Sequence, residues 1–350
     1  MSQSYLDEID EQPDAIRSLA GLVTPELRRS VDGIRAALAR GDINHIALTG
    51  MGGSLFNGYG TWLRLSRALD VPVSLWDSSE LIQQAPSVLR PKTLVIAISQ
   101  SGESVELRRM TEIGGPSMRV SITNGPENSL SRWATIRLAT RVGPEQTVST
   151  KTYTAGHVAL YIFERLLTGD DDAIESQIEA LADATRATLF QLSGKIGDIL
   201  SFVGHDRALT FIGRGASYAS AMMAALVTAE AAKAPTQALS GGQFRHGPLE
   251  LVRDGFRSIM FMGHGATRAL NRKTAEDIDH LGGRCLIVAP ADFTMPETDR
   301  IKLLSLPDVG EALMPVLEIL PLQLLMVPMA IARGFEPAKF LNGTKVTTIE

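Results

Sequence analysis

The chain predicts an α/β fold in two tandem copies, each a parallel sheet flanked by helices in three αβα layers, and three observations carry that prediction. The run Leu94-Val-Ile-Ala-Ile98 is wholly apolar and bounded by turn residues, the pattern of a strand buried on both faces. Strand-like runs alternate with helix-length segments from residue 45 onward, the rhythm of βαβ units. The segment Ile46-Ala-Leu-Thr-Gly-Met-Gly-Gly-Ser54 is echoed about half a chain later by Leu209-Thr-Phe-Ile-Gly-Arg-Gly-Ala-Ser217, as duplication of one α/β domain would leave it.

Taken in order, residues 1–20 hold Glu8, Glu11, Gln12 and Pro13 and read as an arm that runs into a helix over Pro13–Leu22. A second helix spans Pro25–Arg40. A strand at His45–Leu48 opens into a glycine loop and a helix over Leu55–Ala68, then a strand at Val71–Leu75 and a short helix at Ser79–Gln84. The buried strand Leu94–Ile98 follows, with a helix from Glu103, a strand at Met118–Ile122, another at Ile136–Ala139 and a helix over Tyr153–Leu167. Gly169-Asp-Asp-Asp172 is an acidic break after an apolar helix, so one unit is expected over 21–170 and a second over 171–350. The second unit begins with helices over Ala173–Leu189 and Phe190–Val203. After the repeated glycine loop come strands near Arg257–Phe261, Cys285–Val288 and Ile301–Leu306, with helices near Ala266–Leu281 and Met314–Ala332.

A length of 350 residues suits two domains. Lys and Arg total 34 against 39 Asp and Glu, a net charge of −5 without long runs of one sign, which argues against nucleic acid as a partner. The single cysteine, Cys285, lies in an apolar run, so an internal disulfide and a cysteine-rich metal site are excluded and a reducing cytoplasm is expected. The amino terminus is polar and acidic, and the apolar stretch Leu313–Ala332 is broken by Pro315, Glu318, Pro321 and Pro328. Neither a signal peptide nor a membrane span is expected.

In open parallel sheets ligands bind beyond the carboxyl ends of the strands. Beyond Ile98 lies Ser99-Gln-Ser-Gly-Glu-Ser104, which offers hydroxyl donors, a glycine that lets the backbone approach closely, and the free amides of the helix that follows. Gly52-Gly-Ser54 and Val148-Ser-Thr-Lys-Thr-Tyr-Thr154 are two further hydroxyl-rich loops in the first unit. Any one of them could be a helix cap. Three at the strand ends of one sheet point to a phosphate held mostly by neutral donors, with Lys151 the one cation among them. The glycine loops Gly50-Met-Gly-Gly-Ser54 and Gly213-Arg-Gly-Ala-Ser217 lack the third glycine of a dinucleotide fingerprint. Asp77 follows the second strand without the rest of that motif, so no nicotinamide cofactor, and no cofactor of any other kind, is expected.

Ile98-Ser-Gln-Ser-Gly-Glu-Ser104, Ser149-Thr-Lys-Thr152, Gly213-Arg-Gly215, Phe244-Arg-His-Gly-Pro-Leu-Glu250 and Lys345-Val-Thr-Thr-Ile-Glu350 resemble the sugar isomerase (SIS) family in matching order. More narrowly, the chain resembles the isomerase half of glutamine-fructose-6-phosphate aminotransferase and the stand-alone sugar-phosphate deaminases and deglycases. The resemblance implies two SIS units, and a sugar phosphate held by Ser54, Ser99, Gln100, Ser101, Ser104 and Ser149. It implies Glu230 as the base that moves a proton between C1 and C2. It also implies His246 as the ring-opening group, reaching the site of a neighbouring subunit in a homodimer, and Lys345 as the lysine that forms an imine with the open keto sugar. These roles suit the chemistry: an imidazole can shuttle a ring-oxygen proton near neutrality, and an imine needs a neutral amine, which a tail folded over the site would favour by desolvation. On composition alone Glu230 would be read as a surface residue of an alanine-rich helix, and Lys345 as a solvated tail lysine.

Two departures bear on the reaction. Where the synthase pattern has an acidic residue two turns before the base and a lysine one turn before it, this chain has Met223 and Val227. The cysteine nucleophile of a glutaminase domain is absent from the chain, so glutamine is not expected as its nitrogen donor. The leading expectation is a cytoplasmic isomerase and deaminase of an amino-sugar 6-phosphate, metal-free and releasing ammonia. A fructosamine-6-phosphate deglycase, with Met223 and Val227 reflecting the different leaving group, and a non-catalytic sugar-phosphate sensor are the alternatives.

Overall fold

The computed structural model describes residues 2–347, with side chains from Ser4 onward. Helices α1 (Ser2–Asp10), α2 (Gln12–Ser18) and α3 (Pro25–Ala39) precede the first sheet. Then follow β1 (His45–Gly50), α4 (Gly53–Ala68), β2 (Val73–Asp77), α5 (Ser78–Gln84), β3 (Thr93–Ile98) and α6 (Val105–Glu112). The series closes with β4 (Met118–Thr123), α7 (Ser129–Trp133), β5 (Ile136–Ala139) and α8 (Lys151–Thr168). After α9 (Ile174–Ser193) and α10 (Ile196–Val203) the second series runs β6 (Leu209–Gly213), α11 (Ser217–Ala232), β7 (Thr236–Ser240), α12 (Gly241–Arg245), β8 (Arg257–Phe261) and α13 (Arg268–His280). It ends with β9 (Arg284–Pro290), β10 (Ile301–Leu306), α14 (Met314–Glu318) and α15 (Leu320–Ala332).

The two five-stranded sheets are wholly parallel and share one topology. The first has the order β2-β1-β3-β4-β5 and the second, read from its other edge, β7-β6-β8-β9-β10. The duplicated glycine loop therefore follows the equivalent strand in each sheet, and the direction of winding reverses between β1 and β3 and between β6 and β8. Such a reversal opens a crevice at the strand ends.

Contacts divide the chain into two compact units that interleave in sequence, where a single cut at residue 170 was expected. The first-sheet unit takes residues 12–145, 151–182 and the tail from Asn342; the second-sheet unit takes 1–11, 146–150 and 183–341. The tail thus groups with the first sheet.

In the first-sheet unit every residue of β3 is buried, as its unbroken apolar run requires. Val95 and Ala97 pack with Leu81, Leu89, Leu107, Met110 and Leu130. Arg64 of α4 makes a two-pronged ion pair with Glu164 of α8, at 2.6 and 2.7 Å. Both side chains are mostly buried, so loss of either partner would strand a charge.

In the second-sheet unit the expected arm is helix α1, whose Tyr5 and Ile9 have no exposure and whose Tyr5 hydroxyl donates to the Gln323 carbonyl at 3.1 Å. The apolar segment Met314–Ala332 divides at Ile319 into α14 and α15. It is long and apolar enough to cross a membrane, yet 78% of it is buried in the fold. It packs on α11, whose alanine-rich faces are largely buried.

Candidate active site

At the first sheet's switch point, the register Thr49↔Ala97 sets Gly50 beside Ile98, so the loops after β1 and β3 leave the sheet side by side. A Cβ on Gly50 would stand 3.0 Å from the Ile98 carbonyl oxygen, which is why this turn needs glycine. The loop after β3 is organised from within. Ser99 Oγ accepts from the Gly102 amide at 3.0 Å, and Ser101 Oγ accepts from the Glu103 amide at 3.1 Å. A serine oxygen that accepts an amide proton keeps its own proton to donate. Gly102 has φ +66°, and a side chain there would run into Asn128 at 2.1 Å. Glu103 braces the loop by accepting from the Ser129 amide at 2.7 Å and its hydroxyl at 2.9 Å. Burial pushes the Glu103 carboxyl up, but the Ser129 hydrogen bonds and the nearby Arg132 and Arg108 outweigh it and hold the group below its ordinary range.

Ser104 stands at the N-cap of α6 with φ −60° and ψ 146°, yet its hydroxyl makes no cap hydrogen bond. Its oxygen is buried with no partner among the described residues. A buried hydroxyl left unpaired costs roughly 1–3 kcal/mol, and the capping explanation fails for Ser104. Ser54 lies in the first turn of α4, and the Gln100 carbonyl accepts from Asn124 N at 3.0 Å. Asp77, the residue considered for a dinucleotide, caps α5 by accepting from Ser79 N at 2.8 Å and Glu80 N at 3.2 Å.

The tail closes on the same unit. The Thr347 carbonyl accepts from Val105 N at 3.2 Å, so one of the first-turn amides of α6 expected to face a ligand is taken by the chain itself. Lys345 Nζ lies 2.5 Å from Glu145 Oε2, and the Glu145 side chain is wholly buried. Glu145 also accepts from Thr152 N at 3.0 Å and Thr152 Oγ at 2.5 Å. Thr348, Ile349 and Glu350 of the tail motif lie outside the described residues. The structure thus gathers Ser54, Ser99, Gln100, Ser101, Ser104 and Lys345 in the first-sheet unit. Glu145, a lone loop glutamate 200 residues from its lysine partner, carried no signal in the sequence.

The other three candidates belong to the second-sheet unit. Ser149 is half-buried in the segment 146–150, which is tied to α1 by the Gln146 amide donating to Glu8 at 2.6 Å. Glu230 is half-buried near the carboxyl end of α11; Lys233, in the left-handed conformation that ends the helix, donates to the Glu230 carbonyl. Burial pulls the Lys233 amine down, and the Glu230 charge partly restores it. His246 is exposed at the end of α12, and its ring has no hydrogen-bond partner among the described residues. Met223 and Val227 have no exposure. They are core residues of the second-sheet unit.

Cys285 is fully buried in β9, and desolvation pushes its thiol up to about 12, so it is no nucleophile. A groove of about 700 Å³ lies beside edge strand β5, lined by residues such as Thr24, Leu27, Arg137 and Arg141. None of the candidate residues lines it.

Residues 42–163 match the SIS domain family. Over 354 residues the chain is 32% identical to the glutamine–fructose-6-phosphate aminotransferase (isomerizing) of Pyrococcus horikoshii, covering 99% of this chain and 57% of that one. The chain thus spans little more than half the length of that relative. Among solved structures, the C-terminal domain of glucosamine-fructose-6-phosphate aminotransferase from Francisella tularensis superposes with a TM-score of 0.84 at 26% identity, covering 96% of this chain and 97% of that one. A glucosamine-6-phosphate deaminase from Thermotoga maritima shares the fold with a TM-score of 0.74 at 19% identity, over 99% of this chain and 100% of that one.

Proposed function

We propose that this chain, in which residues 42–163 match the SIS domain family, is a phosphosugar isomerase that deaminates an amino-sugar 6-phosphate. Water and glucosamine 6-phosphate would yield fructose 6-phosphate and ammonia. In this reading Ser54, Ser99, Gln100, Ser101, Ser104 and Ser149 hold the phosphate. His246 transfers the ring-oxygen proton as the ring opens, and Glu230 takes the C2 proton and returns it to C1. The resulting C2 imine is hydrolysed with loss of ammonia, and Lys345 forms the imine with the keto sugar. The exposed His246 suits a homodimer in which each copy lends its histidine to the other.

The observation that carries the reading is the serine loop at the first switch point. Two of its hydroxyls are fixed by loop amides and keep a proton to donate, and a third is buried with no partner among the described residues. The test is to supply glucosamine 6-phosphate and, separately, fructosamine 6-phosphates, and to assay ammonia against free amino acid. Ammonia release is expected, falling by about 10²–10⁴ in Glu230→Gln, the range of a lost general base, with sugar-phosphate binding retained. Free amino acid as the product would favour a deglycase, and tight binding without turnover a sensor.

A further inference from the structure

We propose that Glu145 is the proton acceptor that readies Lys345 for imine formation and then serves as counter-ion to the imine, an inference that rests on Lys345 as the imine-forming lysine. In the structure Lys345 is held in an ion pair. Its Nζ lies 2.5 Å from Glu145 Oε2 with the lysine side chain 20% exposed and the carboxylate wholly shielded. An ammonium has no lone pair with which to attack a carbonyl, so a proton must leave before the chemistry starts. Glu145 already shares the hydrogen bond along which that proton would move.

Thr152 fixes the carboxylate through its amide and hydroxyl, so Glu145 cannot swing away with the tail. The tail is placed independently by the Thr347 carbonyl on Val105 N. Lys151, adjacent in sequence to Thr152, is buried at the start of α8 and reaches the neighbourhood of Gly143.

The step balances. Lys345 passes one proton to Glu145, and the freed pair on Nζ bonds to the C2 carbonyl carbon as the carbonyl π pair moves to oxygen. The second Nζ proton passes to that oxygen to give a carbinolamine, and the hydroxyl leaves as water with the proton returned by Glu145 as the nitrogen lone pair forms the C=N bond. An ammonium and a ketone thus become an iminium and water, and Glu145, again an anion, faces the iminium it helped to form.

The test is trapping of the Lys345 adduct with fructose 6-phosphate and cyanoborohydride, followed by intact mass across pH 6.5–9.5. Wild type is expected to trap readily at neutral pH. Glu145→Gln, which keeps the shape and can still accept from Thr152, is expected to trap at least tenfold more slowly at neutral pH and to recover towards the wild-type rate at high pH, where solvent removes the proton. Glu145→Asp retains the carboxylate and should keep the wild-type pH profile at a lower rate; this variant preserves the test if the glutamine variant folds poorly. Equal trapping by wild type and Glu145→Gln at neutral pH overturns the role of Glu145 alone. Absence of any adduct in wild type overturns the reading of Lys345, and this inference with it.

Discussion

The two switch points share a topology and differ in what occupies them. In the first-sheet unit, β3 runs into Ser99–Ser104, where the Ser99 and Ser101 oxygens accept from loop amides and the Ser104 hydroxyl is buried with no partner among the described residues. In the second-sheet unit, β8 runs into Met262-Gly-His-Gly-Ala-Thr267, where His264 is engaged by Asp308 at 2.8 Å. The serines at the head of α11 are consumed there: Ser217 donates to Glu318 Oε1 at 2.8 Å and Ser220 donates to Oε2. Glu318 is wholly buried, with no cation paired to it among the described residues. The protein's own carboxylate thus takes up both hydroxyls at the head of α11. Duplication preserved the strand order and the glycine turns, while the hydroxyls beside the two switch points found different partners, loop amides in one copy and a buried carboxylate in the other.

The sharpest way to break this comparison is to replace the three serines of the loop after β3. Hydrogen bonds to a charged group are worth about 1.5–3 kcal/mol, so Ser99→Ala, Ser101→Ala and Ser104→Ala together should weaken sugar-phosphate binding by at least about a thousandfold. Thr267→Ala in the other loop should leave it unchanged; calorimetric titration reads both.

Next in size is the pH signature of the buried carboxylate. Burial raises the Glu318 carboxyl from 4.5 to about 7 despite the Ser220 and Ser217 hydrogen bonds. The folded protein therefore holds this proton more tightly than the unfolded chain does. The resulting stability is complete below pH 4.5 and is lost as pH rises through about 7, a change on the order of 3 kcal/mol. Glu318→Gln should flatten that slope in denaturant melts over this window; an unchanged slope would show that the carboxylate is not held as described.

The smallest effect concerns the tail. Val105 is the first residue of α6, where proline is tolerated but has no amide to give. Val105→Pro should remove the Thr347 contact at a cost of about 1 kcal/mol and speed proteolytic clipping of the tail. Clipping at the wild-type rate would show that this contact does not hold it.

Much of the fold was legible because its central strands are buried on both faces. Leu94–Ile98 and Cys285–Val288 are apolar throughout, Leu209–Ile212 is broken only by Thr210, and no helix period competes with them. Strand β7 was missed because Thr236-Gln-Ala-Leu-Ser240 is half-buried along its length and shows neither an apolar run nor alternation. Helix α12 follows it at only five residues, too short for a period to register. The serine loop was legible as a candidate anion site, since hydroxyls and a glycine after a buried strand have a local physical meaning. Glu145 and Glu318 were not, because each gains its role from distant residues: Lys345 for one, Ser217 and Ser220 for the other. The grouping of the tail with the first sheet was hidden for the same reason.

The central claim is that the first switch point alone takes the phosphate. A crystal structure with glucosamine 6-phosphate bound tests it most directly. The account predicts phosphate oxygens within hydrogen-bond distance of the Ser99, Ser101 and Ser104 hydroxyls, with Glu318 still held by Ser217 and Ser220. A phosphate bound at Gly213–Ser217 with the serine loop empty would contradict it.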